Sequence, residues 1–196
     1  MEGNLIINDI DGISHKIFFK TSEKMSDVNN NSIQCVVTSP PYWDLKNYNV
    51  DSQIGYKETY EQYHGRLEHV WKECFRILKK DGTVWINVHS KMYNSDTVLI
   101  PQDIIKSMTK IGFFLKDILI WHKSSGIPSG SQRLSQHFEY ILFFSKQKEN
   151  FKFRKNNLDA ILDYRISNLT TIGNVWNIKK KAGSISKGMP HPAIFP

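Results

Sequence analysis

The hexapeptide Thr38-Ser39-Pro40-Pro41-Tyr42-Trp43 follows an apolar run, Ile33-Gln34-Cys35-Val36-Val37, that reads as a short buried strand. Two consecutive prolines fix φ and remove two backbone donors, so the chain here is rigid and extended. The Ser39 hydroxyl and the carbonyls around Pro40 are left as acceptors with no internal partner. The flat ring of Tyr42 comes next. Stiff acceptors beside an aromatic plate suit a planar ring that carries an exocyclic amino group, as a nucleobase does. Pro-Pro-Tyr alone would be a proline-stiffened turn; all six residues at a strand end are read as a site.

The elements that must position this corner are legible along the chain. Leu5-Ile6-Ile7 reads as a strand ending at Asn8-Asp9, and Asn29-Asn30-Asn31 as a turn; Lys16 to Met25 is ambiguous. Asp44 to Gly55 is polar and loop-like. Thr59 followed by Gln62 fits a capping box. Tyr60, Tyr63, Leu67, Val70, Trp71, Cys74 and Leu78 then recur at helical spacing, and Lys79, Lys80 and Gly82 suit the helix end. Thr83 to Val88 reads as a strand, Pro101 to Lys110 as a helix ended by Gly112, and Phe113 to Trp121 and Tyr140 to Phe144 as two further strands. Alternating strands and helices imply an α/β fold with a mainly parallel sheet and helices on its faces. The Ser- and Gly-rich link from Lys123 to Gln136 has no room for a crossover helix, so the last two strands are expected to be antiparallel. Ligands of such sheets bind beyond the carboxyl ends of the strands, where Ser39 to Tyr42 lie.

The 196 residues suffice for one domain with a core, and 40% hydrophobic and 12% aromatic content excludes a disordered chain. Lys plus Arg number 26 against 19 acids, a net charge of +7. That balance favours a polyanionic partner such as nucleic acid. Cys35 and Cys74 both fall in apolar patterns and read as reduced core residues, with no disulfide framework or metal spacing. No basic, apolar leader and no run of membrane-spanning length is seen, so a cytoplasmic protein without a membrane partner is expected. Beyond Ser145, Lys146, Lys148, Lys152, Arg154 and Lys155 interleave with Phe151 and Phe153. That pattern fits either a nucleic-acid surface or a solvated edge with two buried phenylalanines.

Together these segments resemble the amino-group DNA methyltransferases of the β circular arrangement, the "TSPPYW" proteins of restriction–modification systems. The resemblance extends from the hexapeptide to Gln53-Ile54-Gly55, Arg76-Ile77-Leu78-Lys79, Gly82-Thr83-Val84-Trp85-Ile86-Asn87, Ile120-Trp121-His122-Lys123 with Pro128, His137 with Glu139-Tyr140-Ile141-Leu142 and Lys146, Asn174-Val175-Trp176, and His191-Pro192-Ala193-Ile194-Phe195-Pro196. Two positions depart from the family: Asn8-Asp9 stands where Gly-Asp is common, and His89-Ser90-Lys91-Met92-Tyr93 stands where Gly-Asp-Ser-Tyr is usual. The family's glycine-rich loop for S-adenosylmethionine is absent from the sequence. Gly126 and Gly130 lie in a Ser/Pro loop with no helix after them. The resemblance therefore implies an incomplete Rossmann-like methyltransferase fold with an antiparallel terminal hairpin. Residues 1–145 would be the base-binding catalytic part, 146–190 a basic target-recognition or linker segment, and 191–196 the start of a missing cofactor half.

The implied chemistry is methyl transfer from S-adenosylmethionine to the exocyclic amine of a base flipped out of double-stranded DNA, with no covalent intermediate. Ser39 and the Pro40 carbonyl would accept from the amine, Pro41 would stiffen the corner, and Tyr42 would stack on the base. Trp43 either walls the pocket or joins the core. His89 either touches substrate or lies at the surface, and Glu139 either organises the site or pairs locally with His137. His122, Lys123, Arg133, Lys152 and Arg154 are candidate DNA contacts. Asp9 and Thr38 are candidate cofactor contacts, and no metal is expected. Serine at the head of the four residues resembles the cytosine-N4 enzymes; Asp or Asn there is commoner among adenine-N6 enzymes. Without the cofactor half the enzyme is expected to be inactive, needing a complementing C-terminal chain or a dimer partner, and only marginally stable with an exposed sheet edge. The other classes considered are a noncatalytic DNA-binding remnant and a generic nucleotide-binding α/β domain, the latter disfavoured by the lack of a phosphate-cradling glycine loop.

Overall fold

The computed structural model describes residues 4–8, 13–127, 133–154 and 173–178. A separate antiparallel hairpin, β1 (Asn4–Asn8) and β2 (Ser14–Phe18), comes first. The chain then runs through β3 (Ile33–Thr38), a 3-10 turn at Trp43–Leu45, α1 (Tyr60–Ile77), β4 (Leu78–Val88), a small hairpin of β5 (Lys91–Tyr93) and β6 (Asp96–Val98), α2 (Ile100–Ile111), β7 (Phe114–Ile127), β8 (Gln136–Ser145) and β9 (Val175–Asn177). Five strands form the central sheet in the order β3-β4-β8-β7-β9. β3, β4, β7 and β9 run one way, and β8 alone runs against them. The mostly parallel sheet and the antiparallel β7–β8 pair are as the sequence implied.

α1 begins where its capping residues dictate. Thr59 Oγ1 accepts from the Gln62 backbone N–H at 3.2 Å, and Gln62 Oε1 accepts from the Thr59 N–H at 2.9 Å. Its buried face is Tyr63, Leu67, Val70, Trp71, Cys74 and Ile77. α2 has Pro101 in its first turn, where no intrahelical donor is lost, and ends at Gly112, whose φ of +118° needs a residue without Cβ. The expected end of α1 is corrected. The helix stops at Ile77 and Leu78 is already extended, because β4 starts there by pairing with Ile33. Gly82 lies inside β4 instead of capping a helix. A Cβ there would come within 2.6 Å of Leu78 Cγ and 3.0 Å of the Gln34 carbonyl.

α1 and α2 pack together over one face of the sheet, on Val84, Ile86, Val88, Leu142 and Phe144. The described helices thus cover one face and not both. On the other face Trp85 stacks on its cross-strand neighbour Phe143, centroids 4.0 Å apart, flanked by Phe153 and Trp176. Register places Val37 of the edge strand β3 beside Trp85, and Val37 is 75% exposed. Cys35 shares that uncovered row and is exposed, which corrects its assignment to the core. Cys74 is buried, and burial pushes its thiol up to about 12. Among the described residues no helix is long and apolar enough to cross a membrane, and no cluster of His, Cys, Asp and Glu has metal-binding geometry.

Candidate active site

β3 delivers Thr38 to the carboxyl edge of the sheet, paired with Ile86 of β4, and the corner follows at once. Ser39 is exposed, Pro40 is buried, and Pro41 and Tyr42 are half-buried. Two contacts fix the corner to α1 and its lead-in, and two more brace them. Tyr63, wholly buried, donates its hydroxyl to the Pro41 carbonyl at 2.7 Å. The Trp43 indole N–H donates to the Glu58 carbonyl at 2.8 Å, and Arg66 binds Glu58 at 2.6 Å while also holding Glu23 and the Gln53 and Ser52 carbonyls. The Glu58 carboxylate in turn accepts from the Gly55 N–H at 2.7 Å.

Trp43 settles into the core. It is buried, packs its ring against Tyr60 and Tyr93 at 5.2 and 4.7 Å, and carries the Lys91 ammonium over its face; Lys91 also pairs with Asp44. It is therefore a foundation of the corner, not a wall open to substrate. Its backbone sits at φ +54°, left-handed for a bulky residue. Gly55 makes that shape possible. Its own φ is +91°, and a Cβ there would meet Tyr63 Cδ2 at 2.9 Å and the Trp43 backbone at 3.0 Å. Gly55→Ala is expected to cost roughly 2 kcal/mol through backbone strain and overpacking. Urea unfolding reads this directly, and an unshifted midpoint would show that the loop yields freely.

Behind Tyr42 lies a buried polar network. The Tyr42 hydroxyl donates to Glu139 Oε2 at 3.0 Å, Asn87 Nδ2 donates to the same oxygen at 2.5 Å and to the Tyr42 oxygen at 3.2 Å, and Lys123 Nζ donates to Glu139 Oε1 at 2.7 Å. Glu139 is 4% and Lys123 9% exposed. Three strands build the group. Asn87 closes β4, Glu139 lies near the start of β8, and Lys123 follows Trp121, the cross-strand partner of Glu139 on β7. Burial alone would raise the Glu139 pKa. Hydrogen bonds from Lys123, Asn87 and Tyr42 and the Lys123 charge outweigh it and hold the carboxyl below its ordinary value. Burial, and then the facing Glu139 charge, hold the Tyr42 phenol well above its own, with Ser39 pulling the other way.

Two expectations are corrected here. Lys123 is not a surface cation at a strand end: it is buried and ion-paired with Glu139. Glu139 pairs across strands with Lys123, Asn87 and Tyr42 and not locally with His137. His89 is half-buried against Phe138 and Tyr140 beside this network, and burial lowers its pKa against the pull of Gln136 and Glu139. His122 is exposed, its Nδ1 3.3 Å from Asn177 Oδ1, and Arg133 is exposed in the β7–β8 link. Lys152 and Arg154 are exposed but lie elsewhere. The Lys152 N–H bonds the Asp81 carbonyl at the start of β4, six residues and roughly 20 Å along the strand from Asn87. Asp9 is outside the described residues. Asn87 falls in the strand end that the sequence marked as ligand-facing, Tyr63 reads only as a member of the α1 face, and Arg66 was not singled out; the partners of the three, Tyr42, Pro41 and Glu58, lie 45, 22 and 8 residues away.

Comparison with known proteins assigns the class. The DNA methylase family of N6/N4 methyltransferases matches residues 33–196, and the chain belongs to that family. The type II methyltransferase M.MwoI of Methanothermobacter wolfeii is 37% identical over 132 residues, covering 65% of this chain and 20% of that protein. TTHA0409 of Thermus thermophilus, described as a candidate DNA modification methylase, superposes with a TM-score of 0.57 at 26% identity, covering 82% of this chain and 65% of that one. It has also been solved in complex with S-adenosyl-L-methionine. The cytosine-N4-specific PvuII DNA methyltransferase shares the fold, with a TM-score of 0.61 at 20% identity over 86% of this chain and 61% of that one. The chain spans less than two thirds of each of these proteins.

Proposed function

We propose that this chain is the base-binding part of a type II DNA methyltransferase that methylates the exocyclic N4 of cytosine in double-stranded DNA. One observation carries the reading. At the carboxyl end of β3, Ser39 is exposed and Tyr42 half-exposed while their neighbours Pro40 and Trp43 are buried, so the corner presents its chemistry outward from a fixed base. An exocyclic amine is a weak nucleophile because its lone pair is delocalised into the ring. Accepting its N–H groups at Ser39 Oγ and the Pro40 carbonyl favours a pyramidal nitrogen, and stacking on Tyr42 sets the plane of a flipped base. The choice of cytosine over adenine-N6 rests on serine at the head of the four residues. His89, His122 and Arg133 ring the same strand ends and are the candidate DNA contacts; Lys152 and Arg154 would meet DNA only along a second stretch of surface.

S-adenosylmethionine, when bound, supplies a methyl group on a sulfonium. The described residues do not fit it. Gly55 supports Trp43, Gly65 is within α1, Gly82 is within β4 and Gly112 ends α2, so none opens a helix after a strand. Thr38 reaches the right edge of the sheet but alone makes no cradle. The donor is expected to be held by polypeptide carrying that loop, whether a further segment, a complementing chain or a dimer partner. Residues 146–190 as a target-recognition or linker segment, and 191–196 as the lead into the cofactor half, fall largely outside the described residues. A cytoplasmic location follows from the proposed role on DNA.

The test is transfer of labelled methyl from S-adenosylmethionine to unmethylated DNA by the chain, alone and mixed with a polypeptide bearing the glycine-rich loop. Mass spectrometry of the hydrolysed DNA identifies the product. N4-methylcytosine is the expected result, and N6-methyladenine would correct the target atom. Salt-dependent DNA binding with no transfer in either mixture would instead mark a noncatalytic DNA-binding remnant.

A further inference from the structure

The buried Lys123–Glu139 pair ends on the hydroxyl of the one aromatic ring assigned to the base. We propose that Glu139 is a positioning residue for Tyr42: its carboxylate, locked in place by Lys123 and Asn87, tethers the phenol hydroxyl and so fixes the plane of the ring on which the base stacks. This deepens the base-binding reading above and rests on it.

Geometry makes the case. Tyr42 follows two prolines, so its backbone is constrained, but nothing in that restriction sets χ1 or χ2 of its side chain. The hydroxyl, at the far tip of the ring, is the most effective point from which to fix both. It meets Glu139 Oε2 at 3.0 Å and Asn87 Nδ2 at 3.2 Å, one acceptor and one donor, so both hydrogen-bonding roles of a phenol are used. The acceptor cannot drift. Its other oxygen is held by Lys123 Nζ at 2.7 Å, and Asn87 Nδ2 approaches Oε2 at 2.5 Å. A charged acceptor makes a shorter and stronger bond than a neutral one, and a buried one is not weakened by competing water. The three anchoring residues come from three neighbouring strands of the sheet, β4, β7 and β8, so the ring is referenced to the hydrogen-bonded centre of the sheet. A base stacked on a ring of fixed plane meets Ser39 at a fixed angle, which is where orientation enters the rate.

The experiment has two arms. First, 3-fluorotyrosine is placed at position 42 of the chain and its ionisation followed by fluorine NMR. The titration is expected to lie well above that of an exposed fluorotyrosine. Glu139→Gln, which keeps the shape but removes the charge, is expected to make the phenol about tenfold more acidic, one pH unit lower. An unchanged titration in a Glu139→Gln chain with native circular dichroism overturns the tether. Second, Tyr42→Phe keeps the ring and loses only the hydroxyl. In the methyl-transfer assay it is expected to lower kcat about tenfold with little change in KM for DNA, and Tyr42→Phe combined with Glu139→Gln is expected to be no worse than either alone. Additive losses, or a Tyr42→Phe enzyme at the wild-type rate, overturn the tether even if Glu139→Gln fails to fold. If the wild type transfers no methyl in any mixture, the methyltransferase reading fails, and the fluorine titration alone decides whether Tyr42 is held by Glu139.

Discussion

Lys123→Met is expected to destabilise the chain by roughly 3–5 kcal/mol, the cost of leaving a buried carboxylate without its partner. Few surface substitutions approach that size. The pair is almost fully removed from water, with side chains 11% and 5% exposed, so solvent does little to screen it. Methionine matches the length of the lysine stem but supplies no donor, leaving Glu139 with only Asn87 and Tyr42. The double variant Lys123→Met/Glu139→Gln removes the orphaned charge and is expected to recover most of the loss, because replacing both members of a buried ion pair is often close to neutral. Urea unfolding of the three variants reads this, and a Lys123→Met midpoint within experimental scatter of wild type would refute the burial argument. The same pair sets a pH dependence. Glu139 has a folded pKa below its ordinary value of 4.5, so its contribution is complete above that value and is lost as pH falls through the depressed one. Glu139→Gln is expected to flatten stability on the acid side of pH 4.5 and to leave the neutral-to-basic profile unchanged in shape.

Ser39→Ala is expected to lower the rate constant for methyl transfer about a hundredfold while changing KM for DNA little, by analogy with removal of one fixed polar group aimed at the reacting atom. Ser39 is exposed at the strand end; its hydroxyl faces the Tyr42 phenol, while Tyr63, Trp43 and Gly55 hold the corner behind it without touching its side chain oxygen. The deletion of one hydroxyl at an exposed position is expected to leave stability within about 0.5 kcal/mol of wild type. Loss of rate without loss of stability is the signature sought. A Ser39→Ala enzyme within about twofold of wild type would remove Ser39 from the chemistry and shift the burden to the Pro40 carbonyl.

Most of the scaffold was readable because local rules decide it. Thr59 and Gln62 cap α1 as their spacing demands, Gly112 ends α2, and the Ser- and Gly-rich link after Lys123 is too short for anything but an antiparallel return. Local rules failed where a partner strand took over. Lys79 to Gly82 have the look of a helix end, yet pairing with β3 draws them into β4. Cys35 follows an apolar pattern, but whether its row is covered depends on what packs on that face and not on its neighbours in sequence. The hexapeptide marked the place of the site and not its supports. Glu139 is 97 residues from Tyr42 and 52 from Asn87, so only sheet register brings them together. Lys123 looked like a phosphate contact because a cation at a strand end usually is solvated; its facing carboxylate lies across the hairpin.

The left-handed backbone of Trp43 has a consequence for the order in which the molecule assembles. An isolated peptide of this sequence would avoid that conformation, since a bulky residue at φ +54° is disfavoured by about 1–2 kcal/mol relative to its right-handed alternatives. The corner is therefore expected to depend on Tyr63, Glu58 and Gly55, whose contacts hold it in that shape. The edge of the sheet that carries Ser39 and Tyr42 is thus expected to take its final shape late in folding.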